Sequence, residues 1–215
     1  MRGIAFTGGE GPDRESLRMI TRGADILVAA DSGLILCEEA GLTPDWVVGD
    51  MDSLACRAGR DDTSRLDKYP PEKVLRFPVD KDFTDTEFAL NLLSEKGCDE
   101  IWIAGGGGGR LDHFFAIRSI FERNNPPDRW FPGKEEIRCL KEGRALRAAL
   151  TSASVVSVFP LGLGPWEAES SGLKWPLNNL VWERGSAWVS NVAIEEYIEI
   201  RAVRGRLMII LPVVL

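Results

Sequence analysis

Five short apolar runs, separated by helix-like segments or turns, fill the first 106 residues of the chain. Strands and helices that alternate in this way are typical of βαβ units, which build a parallel sheet with helices on both of its faces. The helix that begins near Thr84 is the best defined, because Thr84 and Glu87 have the spacing of a capping box. We predict strands over 3–9, 24–33, 45–50, 73–80 and 100–106, and helices over 14–23, 34–41, 84–97 and 111–123.

The remainder of the chain has a different pattern. It contains apolar runs bounded by Gly, Pro and Asn, and one of them alternates apolar and charged residues as a half-buried antiparallel strand does. The predicted strands are 135–140, 153–162, 186–191, 195–203 and 206–214. We therefore predict an α/β chain with two domains: a parallel-sheet, Rossmann-like domain over 1–130 and an all-β sandwich over 131–215.

Composition excludes several classes of function. The 215 residues carry a formal net charge of −7 and no long basic run, so binding to nucleic acid through its phosphates is not expected. An acidic protein that binds a polyphosphate needs a divalent cation to mediate the contact. No segment approaches the roughly 20 apolar residues of a membrane span.

The four cysteines, at positions 37, 56, 98 and 139, have the spacing of neither a zinc site nor a disulfide framework. The first residues do not have the pattern of a signal peptide. These two features together predict a reduced, cytoplasmic protein.

Polar residues or glycines follow every predicted strand of the first domain. In open α/β sheets, ligands bind beside the carboxyl ends of the strands, so these residues are expected to share one site. They are Gly8 and Gly9, Asp31 and Ser32, Asp50 and Asp52, the segment from Asp80 to Asp85, and five glycines followed by Arg110.

The acidic residues of this edge have two interpretations each. Asp50 and Asp52 share a face if the strand continues, and they can then bind one hard cation; alternatively, they belong to a solvated turn. The same alternatives apply to Asp31. Asp85 either contributes to a metal site or complements the helix dipole, whereas Asp82 lies outside the helix and favours the metal interpretation.

The segment GGGGGRLDH (105–113) lies between a predicted strand and a predicted helix. Glycines allow a phosphate to approach the backbone closely, although the segment lacks the Gly-Lys-Ser/Thr ending of a Walker loop. Arg110 can form a fork with a phosphate, and Asp112 would then lie near the cation. His113 is either a general base or a residue that forms a hydrogen bond with a neighbouring loop or helix end.

Trp175, Ser190 and Asn191 are the candidate ligand-binding residues of the β domain. Trp175 can stack on a flat cationic ring, and Ser190 and Asn191 can form hydrogen bonds with an amino-heterocycle. The alternative is that all three are core or turn residues. We assign the other six tryptophans to the core.

Taken together and in order, these motifs resemble the thiamine pyrophosphokinase family over nearly the whole chain. The resemblance is carried by DSG (31–33), PDWVVGDMDS (44–53), FPVDKDFTDTEFAL (77–90), GGGGGRLDH (105–113), SGLKWPL (171–177) and VSN (189–191).

The resemblance implies a homodimer that transfers the pyrophosphoryl group of ATP to the hydroxyl of thiamine. It implies that Asp50, Asp52 and Asp85 hold Mg²⁺, and that Arg110 and Asp112 join them in catalysis. The ATP side would comprise Asp31, Lys81, Asp82, Thr84, Gly107, Gly108, Gly109 and Arg110, and the thiamine side would comprise Trp175, Ser190 and Asn191. Two alternatives are a pyrophosphokinase that acts on another alcohol, such as a pterin, and a non-catalytic nucleotide-binding module.

Overall fold

The computed structural model describes residues 1–51, 63–78 and 82–213. Its contacts divide the chain into two compact units. The first unit comprises Met1–Ile117 with Phe131–Gly133, and the second comprises Arg118–Trp130 with the residues from Lys134 on. No helix among the described residues has the length and apolarity needed to cross a membrane.

Five parallel strands form the sheet of the first unit: β1 Arg2–Thr7, β2 Ile26–Ala30, β3 Trp46–Gly49, β4 Val74–Arg76 and β5 Glu100–Gly105. They pair in the order β5-β1-β2-β3-β4. The inner strands are nearly continuous apolar runs, as expected of parallel strands that are covered on both faces. The parallel sheet predicted from the sequence is confirmed.

The four predicted helices are present, and each ends before its predicted C-terminus. They are α1 Arg14–Ile20, α2 Gly33–Glu39, α3 Asp85–Glu95 and α4 Leu111–Ile120, and two short 3₁₀ helices span Thr63–Lys68 and Pro71–Lys73. The predicted capping box of α3 is confirmed: the Thr84 amide donates to Glu87 Oε2 at 2.8 Å, and the Glu87 amide donates to Thr84 Oγ1 at 3.3 Å.

The third strand is shorter than its apolar pattern suggested. β3 ends at Gly49, and Met51 has a φ of 67° with a buried side chain. Because Met51 is not extended, β3 does not continue past Asp50, which was the condition for the two aspartates to share a strand face. Asp52 lies outside the described residues, so the shared cation stays a prediction.

The second unit is built from antiparallel strands around one apolar core. The strands are β6 Arg129–Phe131, β7 Glu135–Leu140, β8 Ala145–Ala149, β9 Val155–Leu161, β10 Glu167–Ser171, β11 Trp188–Val192, β12 Tyr197–Arg204 and β13 Arg206–Pro212. Four of them pair in the order β11-β9-β13-β7, and β6 pairs with β7. β8, β10 and β12 form a separate three-stranded sheet. Buried side chains from both groups contribute to the core.

Three of these strands, β6, β8 and β10, were not predicted from the sequence. β8 reads ALRAA and β10 reads EAESS, so neither has the β-branched or aromatic residues that identify a strand. Both pair with β12, whose alternation was recognised. Tertiary pairing, rather than local propensity, makes them extended.

Candidate functional site

A cleft of about 390 Å³ lies at the carboxyl edge of the parallel sheet. The chain runs from β1 toward β2 on one side, whereas β5 pairs with the other side of β1, so this edge contains the switch point at which α/β sheets bind ligands. The residues that line this carboxyl-edge cleft are Thr7, Gly8, Gly9, Ala30, Asp31, Ser32, Thr84, Asp85, Thr86, Gly106, Gly107, Gly108, Gly109, Arg110 and His113.

The glycine loop after β5 is braced against the loop after β1. The Glu10 amide donates to the Gly107 carbonyl at 2.6 Å, and the Gly107 amide donates back to the Glu10 carbonyl at 2.8 Å. A Cβ at Gly107 would lie 1.9 Å from the carbonyl oxygen of Pro132, so no larger residue fits there.

The next two glycines of the loop have positive φ angles, 58° at Gly108 and 61° at Gly109. Their amides donate no hydrogen bond to any other described residue. They are therefore the donors of this loop that a ligand oxygen can use.

Two of the predicted acidic residues meet beside the end of β3. A Cβ at Gly49 would lie 3.2 Å from Asp85 Oδ1 and 3.2 Å from Asp31 Cβ. Asp31 is buried and has a φ of 44°, a conformation that is strained for most residues and is often found at functional sites. The missing side chain of Gly49 thus leaves room for the side chains of Asp31 and Asp85 beside one another, and two neighbouring acidic side chains favour a site for a hard cation.

Arg110 and Asp112 form an exposed forked ion pair at the start of α4. Arg110 Nε donates to Asp112 Oδ1 at 3.1 Å, and Nη2 donates to Oδ2 at 2.5 Å. The hydrogen bond from Arg110 lowers the pKa of Asp112 to about 2. Asp112 is therefore ionised at neutral pH and holds the guanidinium of Arg110 at the edge of the cleft.

Replacing Arg110 by Gln is expected to raise the pKa of Asp112 toward the ordinary aspartate value, because the fork that stabilises the carboxylate is lost. Any effect of the pair on stability is present above the unfolded pKa and lost as the pH falls through about 2, so it does not vary near neutral pH. Carboxyl NMR titration measures the shift. Arg118→Gln, at the other end of α4, is the control, and an unchanged Asp112 pKa in Arg110→Gln would contradict the pairing.

The other predicted residues of this edge are distributed as follows. Asp52 and Lys81 lie outside the described residues. Asp50 is partly buried just after β3, and Asp82 is exposed before α3. His113 lines the cleft. Among the described residues, no group of three or more His, Cys, Asp or Glu side chains is placed to hold a metal ion.

The second unit has its own pocket, of about 370 Å³, which we call the aromatic pocket. Trp175 stands at this pocket with 53% of its surface exposed, and Trp188 packs edge-on against Trp182. The lining is mostly apolar, which is typical of pockets that bind small organic ligands. It consists of Trp175, Pro176, Leu177, Leu180, Ala187, Trp188, Val189 and Asn191.

Asn191 holds Trp175 in place. Its side-chain amide donates to the Trp175 carbonyl at 2.6 Å, and its oxygen accepts from the Trp175 amide at 3.1 Å. Ser190, the neighbouring residue, has a φ of 59° in a stretch where the pairing of β11 with β9 shifts register. Such bulges redirect side chains next to binding sites, and Ser190 is exposed here.

Sequence reasoning missed some residues of both pockets. Thr7 and Thr86 line the carboxyl-edge cleft, and Trp188, assigned to the core, lines the aromatic pocket. The position of Thr7 directly before Gly8 and Gly9 was the available signal, because it is the last residue of a buried strand. The sequence contains no comparable signal for Trp188.

Two family models match the chain. The model described as thiamin pyrophosphokinase, catalytic domain, matches residues 17–126, and the model described as thiamin pyrophosphokinase, vitamin B1 binding domain, matches residues 140–207. These matches include most of the lining of the carboxyl-edge cleft and all of the aromatic pocket.

Individual proteins are similar over much or all of the chain. A thiamine pyrophosphokinase of Bacillus subtilis is 29% identical over 155 residues, which cover 71% of this chain and 70% of the relative. The crystal structure of thiamine pyrophosphokinase from B. subtilis superposes with a TM-score of 0.78 at 25% identity and covers all of both chains. That of thiamin pyrophosphokinase from Geobacillus thermodenitrificans has a TM-score of 0.74 at 28% identity, covering 100% of this chain and 98% of the other.

Proposed function

The chain belongs to the thiamine pyrophosphokinase family, and from this membership we propose that the carboxyl-edge cleft binds ATP while the aromatic pocket binds thiamine. The enzyme transfers the pyrophosphoryl group of ATP to the hydroxyl of thiamine and produces thiamine diphosphate and AMP. The observation that carries the ATP assignment is the cleft itself, in which two acidic residues, an arginine and a glycine loop with unused amides meet at a switch point.

The donor set of the cleft fits Mg²⁺. Asp31 and Asp85 approach one another at Gly49, and carboxylate oxygens are the ligands that this cation prefers. Asp50, Asp52 and Asp85 would hold the ion, with Asp31 and Asp82 nearby. Bound there, it would neutralise phosphate charge during the transfer.

The protein side chains position the reactants. The hydroxyl oxygen of thiamine attacks the β-phosphorus of ATP in line, the bond from that phosphorus to the oxygen bridging the α-phosphate breaks, and AMP leaves with that oxygen. Reactions of this kind depend chiefly on positioning and on stabilisation of charge. The amides of Gly108 and Gly109, together with Arg110 and Lys81, would stabilise the transferred group.

The proton of the thiamine hydroxyl needs an acceptor. Asp112 is a poor one, because its pKa of about 2 makes the carboxylate a weak base. We assign to Asp112 the positioning of Arg110. The proton then passes either to Asp31, which lines the cleft, or to water.

Trp175 provides the stacking surface for thiamine in this proposal. The thiazolium ring of thiamine is a flat cation, and an exposed indole attracts such a ring through its π-face. Asn191 keeps the backbone of Trp175 in position, and Ser190 presents its exposed hydroxyl beside the pocket.

Each unit exposes large apolar side chains, and these support a homodimer. Leu111 and Phe115 on α4 are 73% and 63% exposed, and Val181 and Val189 in the second unit are 77% and 59% exposed. Leu111 and Phe115 are four positions apart on one helix and share a face of it, and contiguous exposed apolar surface commonly marks a protein interface. The cytoplasmic location stays a prediction.

Phe115→Glu is expected to convert the dimer to monomers, since it introduces a charge into an apolar interface. Analytical ultracentrifugation measures the mass. Met19→Glu, which changes an exposed apolar side chain of α1, is the control. A wild-type protein that is monomeric at micromolar concentration would contradict the dimer.

The test of the activity is AMP release from ATP and Mg²⁺, measured by chromatography with thiamine, with a hydroxymethyl pterin and with no acceptor. We expect AMP only with thiamine. AMP with the pterin alone would identify a different acceptor alcohol, and no turnover with either acceptor would favour a nucleotide-binding module.

A further inference from the structure

The hydroxyl of Ser32 is directed away from its usual partner. Ser32 is the N-cap residue of α2, where a serine normally accepts a hydrogen bond from the helix backbone. Here its φ and ψ are −62° and −8°, and the side chain forms no cap hydrogen bond. Its Oγ instead lies 2.0 Å from the point that a Cβ of Gly8 would occupy, at the end of β1 and on the wall of the carboxyl-edge cleft.

A second pair of hydroxyls lines the same cleft. Thr7 Oγ1 and Thr86 Oγ1 are 2.7 Å apart, and both residues are only 7% exposed. Two hydroxyls carry two protons, and their mutual hydrogen bond uses one of them. The structure shows no acceptor for the second proton among the described residues, so it is available to a ligand in the cleft.

The charge of the cleft determines which ligand these hydroxyls suit. Asp31 and Asp85 are acidic, and two of the three guanidinium nitrogens of Arg110 are paired with Asp112. An anionic ligand in this cleft therefore gains from additional hydrogen-bond donors that are uncharged. Hydroxyl groups donate hydrogen bonds to phosphate oxygens in this way.

We propose that phosphate oxygens of the nucleotide accept one hydrogen bond from the hydroxyl of Ser32 and one from the Thr7–Thr86 pair. This set of three residues, the hydroxyl set, deepens the proposed ATP site and rests on that assignment. The 2.7 Å separation fits either threonine as the donor of the pair's own hydrogen bond, and the proposal assigns that role to Thr86. Ser32 and Thr7 then contact the substrate, and Thr86 positions the hydroxyl of Thr7.

The experiment measures binding by calorimetry, with Mg²⁺ and without thiamine, for ATP, inorganic triphosphate and adenosine. Ser32→Ala and Thr7→Val are each expected to lower the affinity for ATP and for inorganic triphosphate by about tenfold, which is the scale of a lost hydrogen bond to a charged group. The affinity for adenosine should not change. Thr7→Ser keeps the hydroxyl and is expected to restore the affinity. Ser94→Ala, on the exposed side of α3, is the matched control.

Wild-type affinity for triphosphate in Ser32→Ala or in Thr7→Val would overturn the proposal. Weakened binding of adenosine would also overturn it, because the hydroxyls would then contact the nucleoside. Melting temperatures identify any variant that fails to fold. If Ser32→Ala is such a variant, the comparison of Thr7→Val with Thr7→Ser provides the test. A failure of the proposed function is seen separately, as a wild-type protein that releases no AMP with thiamine.

Discussion

Asp85→Asn is expected to slow the formation of thiamine diphosphate by a factor on the order of 10² to 10³, the scale on which loss of one preorganised electrostatic group slows a reaction. Asp85 lies in the first turn of α3, with Oδ1 3.2 Å from a Cβ position at Gly49, beside Asp31. The amide side chain has the same shape but no charge for a divalent cation. The Mg²⁺ concentration that gives half-maximal rate should rise as well.

The fold of Asp85→Asn should be nearly unchanged. The capping box between Thr84 and Glu87 does not involve this side chain, and loss of a charge in a first helical turn costs only about 0.3–1 kcal/mol. Asp25→Asn is the control, because Asp25 accepts from the Arg2 amide at the amino edge of the same sheet. Turnover in Asp85→Asn within a few fold of the control would show that this carboxylate has no part in catalysis.

The second large effect concerns stability, and it comes from a buried ion cluster in the second unit. Glu136 is fully buried and accepts hydrogen bonds from Arg129 and from Arg138, the latter at 2.6 Å between Nε and Oε1. Arg129 and Arg138 are paired positions on β6 and β7. Like charges placed opposite one another on paired strands are destabilising, and Glu136 compensates both.

Glu136→Ala is therefore expected to lower the free energy of unfolding by about 3 kcal/mol, because it leaves two guanidinium groups without their carboxylate. The side chains of Arg129 and Arg138 are 19% and 23% exposed, so water relieves part of the loss. Urea unfolding followed by tryptophan fluorescence measures it, since Trp130 is buried on β6.

Glu135 provides the matched control for this substitution. It precedes Glu136 on β7 and is exposed, so Glu135→Ala should change stability by less than about 0.5 kcal/mol. Equal stability of the two variants would mean that the buried cluster contributes nothing to the folded state.

The residues at the strand ends were predictable from sequence because each follows directly after an apolar run that identifies a strand. An apolar run followed by Gly-Gly or Asp-Ser-Gly fixes both the strand and the edge to which its last residues belong. Asp31, Asp85, Arg110 and the glycine loop line one cleft for this reason. The capping box of α3 was equally local, since it requires only the spacing of Thr84 and Glu87.

Long-range contacts were not predictable in the same way. Thr7 and Thr86 are 79 positions apart, and no local pattern indicates that their hydroxyls meet. The sequence also contained no sign that the side-chain amide of Asn191 donates to the backbone carbonyl of Trp175, 16 positions away. The positive φ of Met51 also escaped prediction, because this conformation at a non-glycine residue depends on the surrounding packing.

The most direct test of the central claim is the product ratio of the purified protein with ATP, Mg²⁺ and thiamine, with the β- and γ-phosphates of ATP labelled. The account predicts one AMP for each thiamine diphosphate, with both labels in that product and none in free phosphate. Formation of ADP with a singly labelled thiamine monophosphate would contradict it, because attack would then occur at the γ-phosphorus and the proposed arrangement of ATP in the cleft would be wrong.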